Sequence, residues 1–288
     1  MAIWNLGSIN ADFVYAVPHI PVAGETLSSS GRDVFLGGKG TNMSVAAARA
    51  AATVHHIGAV GDDGEWAVDR LMEYGVDTRF IARVDEDTAQ AVITVDPQGE
   101  NMIILFPGAN DVIPQAILQE AMAEAQTGDW LLIQNETNLQ RTAATLGKKM
   151  GLKVAYAAAP FDADRVKAVL PHIDLLFLNQ VEADQLEKAI GQRPETLGVR
   201  DVIVTLGKDG ADWFGPDGRR HFDAIPVTPV DTTGAGDTFT GYVVAGLDRG
   251  HPMAQAISLG MRAAALMVTR HGTADVIPDL RDLEEFRP

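Results

Sequence analysis

Residues 130–159 read WLLIQNETNLQRTAATLGKKMGLKVAYAAA, and this stretch predicts a strand, a helix and a second strand in succession. The apolar runs at its two ends are short and continuous, as in strands that are buried on both faces. The segment between them, near 138–150, has a helical pattern. Helix and strand patterns continue to alternate through 162–170, 174–179, 181–190 and 201–207. Repeated strand–helix–strand units predict an α/β fold, with a mainly parallel central sheet and helices on both faces.

Two other stretches interrupt this alternation, since residues 12–35 and 88–106 have strand patterns without a helix between the strands. The second stretch contains Asp-Pro-Gln-Gly at 96–99, which is typical of a hairpin turn. We expect strands from both stretches to pair in a small antiparallel sheet that acts as a lid over a ligand site. The alternative is that they extend an edge of the main sheet. No linker rich in Pro, Gly and Ser divides the chain, so we expect one domain over residues 1–288.

The composition is that of a globular protein, with 46% hydrophobic and 22% charged residues. No apolar run approaches the roughly 18 residues that span a bilayer, and the first ten residues lack the pattern of a signal peptide. The absence of Cys excludes disulfides, a thiol nucleophile and Cys-ligated metals. We therefore expect a cytoplasmic protein. The net charge of −16 disfavours nucleic acid and anionic membranes as partners, so an anionic ligand would need a local site.

Such a local site is indicated by DTTGAGDTFTG at 231–241, a small-residue turn that opens a helix. Amide groups in the first turn of a helix lack partners within the helix, and small side chains let a tetrahedral anion approach them. The spacing does not fit a dinucleotide motif, because Phe239 stands where a third glycine belongs, and the Walker-type lysine motif is absent. Asp237 in this turn has three interpretations: a helix cap, a metal ligand, or a general base beside a phosphoryl group.

A second glycine cluster, GGKGTN at 37–42, also precedes a helix. Close packing of the Ala-rich helix would explain the glycines, whereas Lys39 and Asn42 beside bare backbone suit a polyhydroxylated ligand. His55 and His56 lie on a predicted strand, where we interpret them as core or edge residues and not as ligands.

Ten short motifs are distributed along nearly the whole chain. They are GSINAD (7–12), PVAGET (21–26), GGKGTN (37–42), GAVGDDGEWA (58–67), PGAN (107–110), LLIQNET (131–137), LNQVEAD (178–184), VTLGKDGA (204–211), DTTGAGDTFTG (231–241) and VTRHGT (268–273). In this order and spacing the chain resembles the PfkB-type carbohydrate kinases, and among them the ribokinases. The resemblance implies a ribokinase-like three-layer α/β sandwich with a small β-sheet lid, whose strands from about 12–35 and 88–106 are inserted in the core.

The resemblance also implies a role for each matching residue. Asp237 would be the general base, beside an anion hole of Gly234, Ala235 and Gly236. The sugar would be bound by Asp12, Gly38, Lys39, Asn42, Glu136 and Asp237. The nucleotide would contact Asn179, Thr205, Gly207 and Gly236. Glu182 would hold Mg²⁺ through water, and a K⁺ site, partly of backbone carbonyls, would involve Asp231, Thr233, Met267 and Gly272.

The implied function is transfer of the γ-phosphoryl group of ATP to a primary hydroxyl of a pentose, with ribose the first choice. Two positions depart from the family pattern: Gln180 replaces a frequent Glu, and Met43 replaces a common Gln. Because Met43 adjoins Asn42, another acceptor, namely a nucleoside, fructose or a related hexose, stays an alternative. Two further alternatives are a non-catalytic sugar- or nucleotide-binding regulator and, disfavoured by the glycine spacing, a nicotinamide dehydrogenase. The family also implies a homodimer formed through the lid sheet.

Overall fold

A nine-stranded sheet forms the centre of the fold in a computed structural model, which describes residues 1–287. Its strands, in chain order, are β1 (Ala2–Leu6), β4 (Thr53–Val60), β5 (Asp77–Arg83), β8 (Trp130–Ile133), β9 (Lys153–Ala157), β10 (Leu175–Asn179), β11 (Asp201–Thr205), β12 (Ala211–Gly215) and β13 (Gly218–Phe222). Their spatial order is β13-β12-β11-β10-β9-β8-β1-β4-β5. In this spatial order the seven strands from β11 to β5 are parallel, whereas β12 runs antiparallel to both of its neighbours, β11 and β13. The predicted mainly parallel sheet is confirmed.

Helices cover both faces of this sheet. Within the described residues they are α1 (Lys39–Arg49), α2 (Glu65–Glu73), α3 (Gln115–Glu124), α4 (Gln140–Met150), α5 (Ala163–Val169), α6 (Gln180–Ile190), α7 (Ala235–Asp248), α8 (Met253–Met267) and α9 (Leu280–Glu285). One apolar core joins the sheet to α1, α2, α7, α8 and α9, and a second core joins its other face to α3, α4, α5 and α6. Two cores on either side of one sheet make the three-layer sandwich. Among residues 1–287 no helix combines the length and the apolar character needed to cross a membrane.

A separate four-stranded sheet lies beside the sandwich, as the interrupting stretches predict. It consists of β2 (Asn10–Ala16), β3 (Gly31–Gly37), β6 (Ala89–Val95) and β7 (Asn101–Phe106), in the order β3-β2-β6-β7. The turn at 96–99 joins β6 to β7 as a hairpin. The prediction of a wholly antiparallel sheet is wrong, since the central strands β2 and β6 run parallel. They belong to two hairpin-like pairs, β2 with β3 and β6 with β7, which meet side by side through their first strands.

The strand order places a crevice between β1 and β8. From β1 the chain proceeds outward through β4 to β5, and from β8 it proceeds the other way through β9, β10 and β11. At such a reversal the connections leave the carboxyl ends of neighbouring strands in opposite directions, which opens a crevice that parallel α/β folds use for ligands. The residues that follow β1 and β8 are therefore expected to line a ligand site.

Candidate active site

Glu136 and Ser8 meet at this crevice. Ser8 follows β1 and donates its hydroxyl to Glu136 Oε2 at 2.5 Å, and Glu136 follows β8. The same carboxylate oxygen accepts the main-chain N–H of Lys39 at 3.0 Å. Burial raises the pKa of Glu136, while the charge of Lys39 and these two hydrogen bonds oppose that effect. Glu136 is thus fixed by both the sheet and the start of α1.

The glycine cluster at the start of α1 shows the predicted close packing and brings Asn42 to Asp237, while its sugar-binding role stays a prediction. Gly38 caps the helix with a φ of 94°, and a Cβ on Gly40 would lie 2.3 Å from the Cα of Gly7, so close packing requires these glycines. Asn42 contacts the catalytic candidate directly, because its Nδ2 donates to Asp237 Oδ2 at 2.9 Å. Met43 points away into the apolar core and is 1% exposed.

Asp237 lies in the first turn of α7 and is 7% exposed. Gly234, with a φ of 74°, occupies the N-cap position, and no side chain caps the helix there. The interpretation of Asp237 as a helix cap is therefore wrong. Its two oxygens instead face Asn42 and Lys39, whose Nζ lies 4.0 Å from Oδ1. Asp237 therefore lies where the first turns of α1 and α7 meet.

Asp12 reaches the site from the smaller sheet and adds a third carboxyl group. Burial, and then the charges of Glu136 and Asp237, raise the pKa of Asp12 to about 7. Lys39 is the balancing cation, and the neighbouring Asp237 in particular raises its pKa. A centre with three acids and one base repels a free anion and suits a neutral ligand that is rich in hydroxyl donors.

Two buried oxygen atoms in this centre support such a ligand. Asp12 Oδ1 and Asn42 Oδ1 have no hydrogen-bond partner among the described residues. Buried acceptors are almost always satisfied in native proteins, so unpartnered ones at a crevice indicate where ligand donors bind. Both atoms belong to residues that the sequence predicts as sugar ligands.

A cavity of about 530 Å³ adjoins the first turn of α7 on the side of β11 and α8. Its walls are mostly apolar, and they include the predicted nucleotide contacts Thr205, Gly207 and Gly236 together with Ala235 of the predicted anion hole. A Cβ on Gly236 would meet nothing within 4 Å. In the predicted anion hole, the Ala235 amide already donates to the Thr232 carbonyl at 3.3 Å, whereas the Gly236 amide has no backbone acceptor within the described residues. The Asp237 amide, which was not part of that prediction, also has none. An apolar chamber that ends at free helical amides fits a nucleobase with its phosphates.

Glu182, predicted to hold Mg²⁺, and Asn179, predicted to contact the nucleotide, also have a structural role that the sequence analysis did not assign. Asn179 caps α6 by accepting the Glu182 N–H at 2.8 Å, and Glu182 Oε2 accepts the Asn179 N–H at 2.8 Å. Burial raises the pKa of Glu182. The hydrogen bond from Asn179 and the charge of Lys39 oppose this shift, and the charge of Asp237 adds to it. Because the cap uses one carboxylate oxygen, the other fits a water-mediated contact to Mg²⁺. Nowhere in residues 1–287 do three or more His, Cys, Asp or Glu side chains form a metal-binding group.

The residues predicted for K⁺ lie together at the end of α8. Asp231 Oδ1 accepts the Thr233 N–H at 2.9 Å, and Asp231 Oδ2 accepts the Gly272 N–H at 3.3 Å. The carbonyl of Met267 accepts the N–H of Arg270, and its sulfur contacts Thr238. Met267 is near Asp231 because the Asp231 N–H donates to the carbonyl of Val268, the next residue, at 3.2 Å, and the cation itself stays a prediction.

Two polar residues of the site were missed by the sequence analysis, although their motifs were recognised. Ser8 lies in GSINAD and positions Glu136. Asn110 lies in PGAN, where its Oδ1 accepts the Ile9 N–H at 3.0 Å and its Nδ2 donates to Asn10 at 2.8 Å. Their position within matched motifs was the available signal.

Several known proteins are similar to this chain in sequence and in structure. A family model described as "pfkB family carbohydrate kinase" matches residues 3–280. A ribokinase from Haemophilus influenzae is 35% identical over 296 residues, which cover 98% of this chain and 96% of that protein. The crystal structure of a ribokinase from Cryptococcus neoformans in complex with ADP is similar at a TM-score of 0.85 and 32% identity, covering 99% of both chains. A ribokinase from Arabidopsis thaliana, complexed with ribose and ATP, has a TM-score of 0.86 and 27% identity, covering 100% of both chains.

Proposed function

The chain belongs to the pfkB family of carbohydrate kinases, which makes it a phosphotransferase with an alcohol acceptor, and we propose that it transfers the γ-phosphoryl group of ATP to the primary hydroxyl of ribose. The observation that carries this proposal is the position of Asp237. On one side of it lie the unpartnered acceptors of Asp12 and Asn42, and on the other lies the cavity at Gly236. The Asp237 carboxylate thus lies in the acceptor centre, one residue along the chain from the cavity proposed for ATP, which supports a role in phosphoryl transfer.

In the proposed reaction Asp237 accepts the proton of the sugar hydroxyl. The hydroxyl oxygen forms a bond to the γ-phosphorus of ATP while the bond from that phosphorus to the bridging oxygen breaks, and ADP leaves with the electron pair. The amides of Gly236 and Asp237 donate to the oxygens of the transferring group, which gather negative charge. Asp12, Asn42, Glu136 and Lys39 hold the acceptor so that its hydroxyl points along the line of attack.

Divalent and monovalent cations belong to this proposal as well. Glu182 would hold Mg²⁺ through water, and the ion would neutralise charge on the phosphates of ATP. Asp231, Thr233, Gly272 and the carbonyl of Met267 would hold K⁺ close to the start of α7. The presence of a carboxylate with a free oxygen at Glu182 supports the first assignment.

Ribose as acceptor is supported by the names of the similar proteins and by the chemistry of the crevice. The relative from Haemophilus influenzae is a ribokinase, and the Arabidopsis enzyme was solved with ribose and ATP. Three carboxyl groups around one ammonium group provide many acceptors for vicinal hydroxyls. Met43 lies in the core, so its departure from the family pattern has no contact through which it would exclude ribose.

The test is a comparison of acceptors with ATP and Mg²⁺, following ADP release and identifying the product by mass spectrometry. We expect the largest kcat/KM for ribose, then for deoxyribose, and lower values for fructose and nucleosides. A larger kcat/KM for a nucleoside or a hexose would replace ribose as the acceptor. No ADP release with any member of the panel would overturn the kinase proposal.

A further inference from the structure

A chain of buried polar side chains lies beneath the acceptor site and is not used by the reaction. It consists of Asn5 on β1, Ser44 on α1, His56 on β4 and Gln134 directly after β8. Each of the four is 0% exposed. Burying polar groups costs free energy unless they form hydrogen bonds, so the hydrogen bonds among these four side chains are important for the stability of the fold.

The direction of every hydrogen bond in this chain is determined by its ends. His56 Nε2 lies 3.0 Å from the carbonyl oxygen of Gly7, which only accepts, so Nε2 carries the proton. In a neutral imidazole Nδ1 then accepts, and Ser44 donates its hydroxyl to it at 2.9 Å. The Ser44 oxygen accepts from Asn5 Nδ2 at 2.8 Å, and Asn5 Oδ1 accepts from Gln134 Nε2 at 2.7 Å.

The neutral form of His56 is the one that this chain requires. Complete burial lowers the pKa of His56 to about 4, although its hydrogen bond to Gly7 opposes the shift. A second proton on Nδ1 would face the Ser44 oxygen, which already accepts from Asn5. The imidazole therefore remains a donor at one nitrogen and an acceptor at the other at neutral pH.

The two backbone carbonyls that end the chain adjoin the acceptor site. His56 Nε2 donates to the carbonyl of Gly7, and Asn5 Nδ2 donates to the carbonyl of Gly40 at 2.8 Å. Gly7 and Gly40 are packed against each other, and each adjoins a residue of the acceptor site in the sequence. Ser8 follows Gly7 and donates to Glu136, while Lys39 precedes Gly40 and donates its N–H to the same oxygen.

We propose that His56 is a positioning residue for acceptor binding, which through Ser44 and Asn5 fixes the Gly7 and Gly40 segments so that Ser8, Lys39 and Glu136 hold the sugar. The inference rests on the proposed function of the site as the acceptor site of a kinase. His56 touches neither substrate, so its effect appears in acceptor affinity before it appears in the chemical step.

The test compares His56→Asn and Ser44→Ala with the wild-type enzyme. Ser44→Ala removes the hydrogen bonds to both His56 and Asn5, and the shorter Asn side chain at position 56 cannot bridge Ser44 and the Gly7 carbonyl. We expect each variant to raise the KM for the acceptor about tenfold, a typical effect of lost buried hydrogen bonding in a site. The KM for ATP should change less than twofold, because the chain does not reach the cavity at Gly236. The double variant should raise the acceptor KM no more than either single variant, since both break one chain.

His55→Asn is the matched control on the same strand. His55 stacks on Trp4 and pairs with Asp77 at 2.8 Å, so its loss should lower the Tm without changing the acceptor KM. An unchanged acceptor KM in His56→Asn, with a lowered Tm, would overturn the proposal, as would equal increases in the KM for both substrates.

Nitrogen-15 NMR of the wild-type enzyme gives a readout that needs no folded variant. We expect His56 to be neutral and protonated at Nε2 at pH 7, and a proton on Nδ1 would overturn the inference. Failure of the proposed function is recognised separately, because a wild-type enzyme that phosphorylates no acceptor contradicts the kinase assignment whatever the tautomer of His56.

Discussion

At the scale of single residues, Asp237 has the most demanding position, because its carboxylate lies in the acceptor centre while the preceding residue, Gly236, lines the cavity proposed for ATP. Asp237→Asn keeps the shape of the side chain and its contact with Asn42, but an amide does not accept the proton of the acceptor. We expect kcat to fall by about 10²- to 10⁴-fold. Binding of ATP and of sugar, measured by calorimetry, should change little.

Asp248 provides the control for this substitution, since it is a second buried acid on α7. It is 6% exposed, its Oδ1 has no partner within the described residues, and burial raises its pKa. Asp248→Asn removes a buried carboxyl far along the helix, so kcat should remain that of the wild type. Near-wild-type turnover in Asp237→Asn would remove the assignment of a general base.

The raised pKa of Asp12 predicts how acceptor binding depends on pH. Its pKa is raised from 3.8 to about 7, so the carboxyl takes up a proton as the pH falls through about 7. The acid form accepts fewer hydroxyl donors than the carboxylate. We therefore expect kcat/KM for the acceptor to rise with pH up to about 7 and then to level off, whereas the KM for ATP stays constant.

The variant Asp12→Asn tests whether this group causes the profile. Its kcat/KM for the acceptor should be low at every pH, and the inflection near the wild-type value should be absent. A wild-type profile that is flat between about pH 6 and about pH 8 would contradict the assignment, because a group with a pKa near 7 changes its charge across that interval.

At the scale of elements, the first turn of α6 combines a helix cap with the proposed magnesium contact, and two substitutions separate these roles. Glu182→Gln keeps a side-chain oxygen for the Asn179 N–H but removes the charge, because Gln also serves in a capping box. We expect an unchanged Tm and about a tenfold increase in the Mg²⁺ concentration that gives half-maximal activity.

Asn179→Ala removes the cap and leaves the Glu182 carboxylate. It should lower the free energy of unfolding by about 1 kcal/mol, measured by urea denaturation. Loss of stability in Glu182→Gln, with no change in the Mg²⁺ requirement, would show that Glu182 only caps the helix.

The elements also show where sequence patterns succeed. The buried strands β8 to β11 and the helices between them are predictable, because continuous apolar runs and helical periodicity report local environments. The pairing of β2 with β6 was not, since parallel or antiparallel pairing of strands that are distant in sequence depends on how two hairpins meet. The hairpin of β12 and β13 was missed although Pro216, Asp217 and Gly218 form a turn signal between them.

Some residues of the candidate site were predictable from the sequence, and others were not. Asp237, Lys39 and Asn42 stand in glycine-rich motifs whose composition indicates ligand binding, and the structure brings them together. His56 lies on a strand pattern that predicts only burial. Its hydrogen bonds reach residues 12 and 49 positions away, and no local pattern reports such contacts.

At the scale of the whole molecule, the smaller sheet links the acceptor site to an exposed surface. Asp12 lies on β2 and faces the site, while its neighbour Phe13 points to the opposite face. The register places Val34, Phe13, Val92 and Ile104 in one row across all four strands. Val34, Val92 and Ile104 are 43%, 37% and 58% exposed. An apolar row of this kind across a whole sheet suits an interface, and we propose that a second copy of the chain covers it.

This proposal predicts that oligomeric state and acceptor binding change together. Ile104→Lys places a charge in this apolar row, on the edge strand β7, and we expect it to convert a dimer to a monomer in sedimentation velocity. Because β2 carries both Phe13 and Asp12, loss of the partner should loosen the sheet and raise the KM for the acceptor more than the KM for ATP. Met72→Lys, at a 57% exposed site on α2, is the matched control and should leave the dimer intact. A wild-type protein that sediments as a monomer at micromolar concentration would contradict the dimer, and the exposed row would then need another occupant.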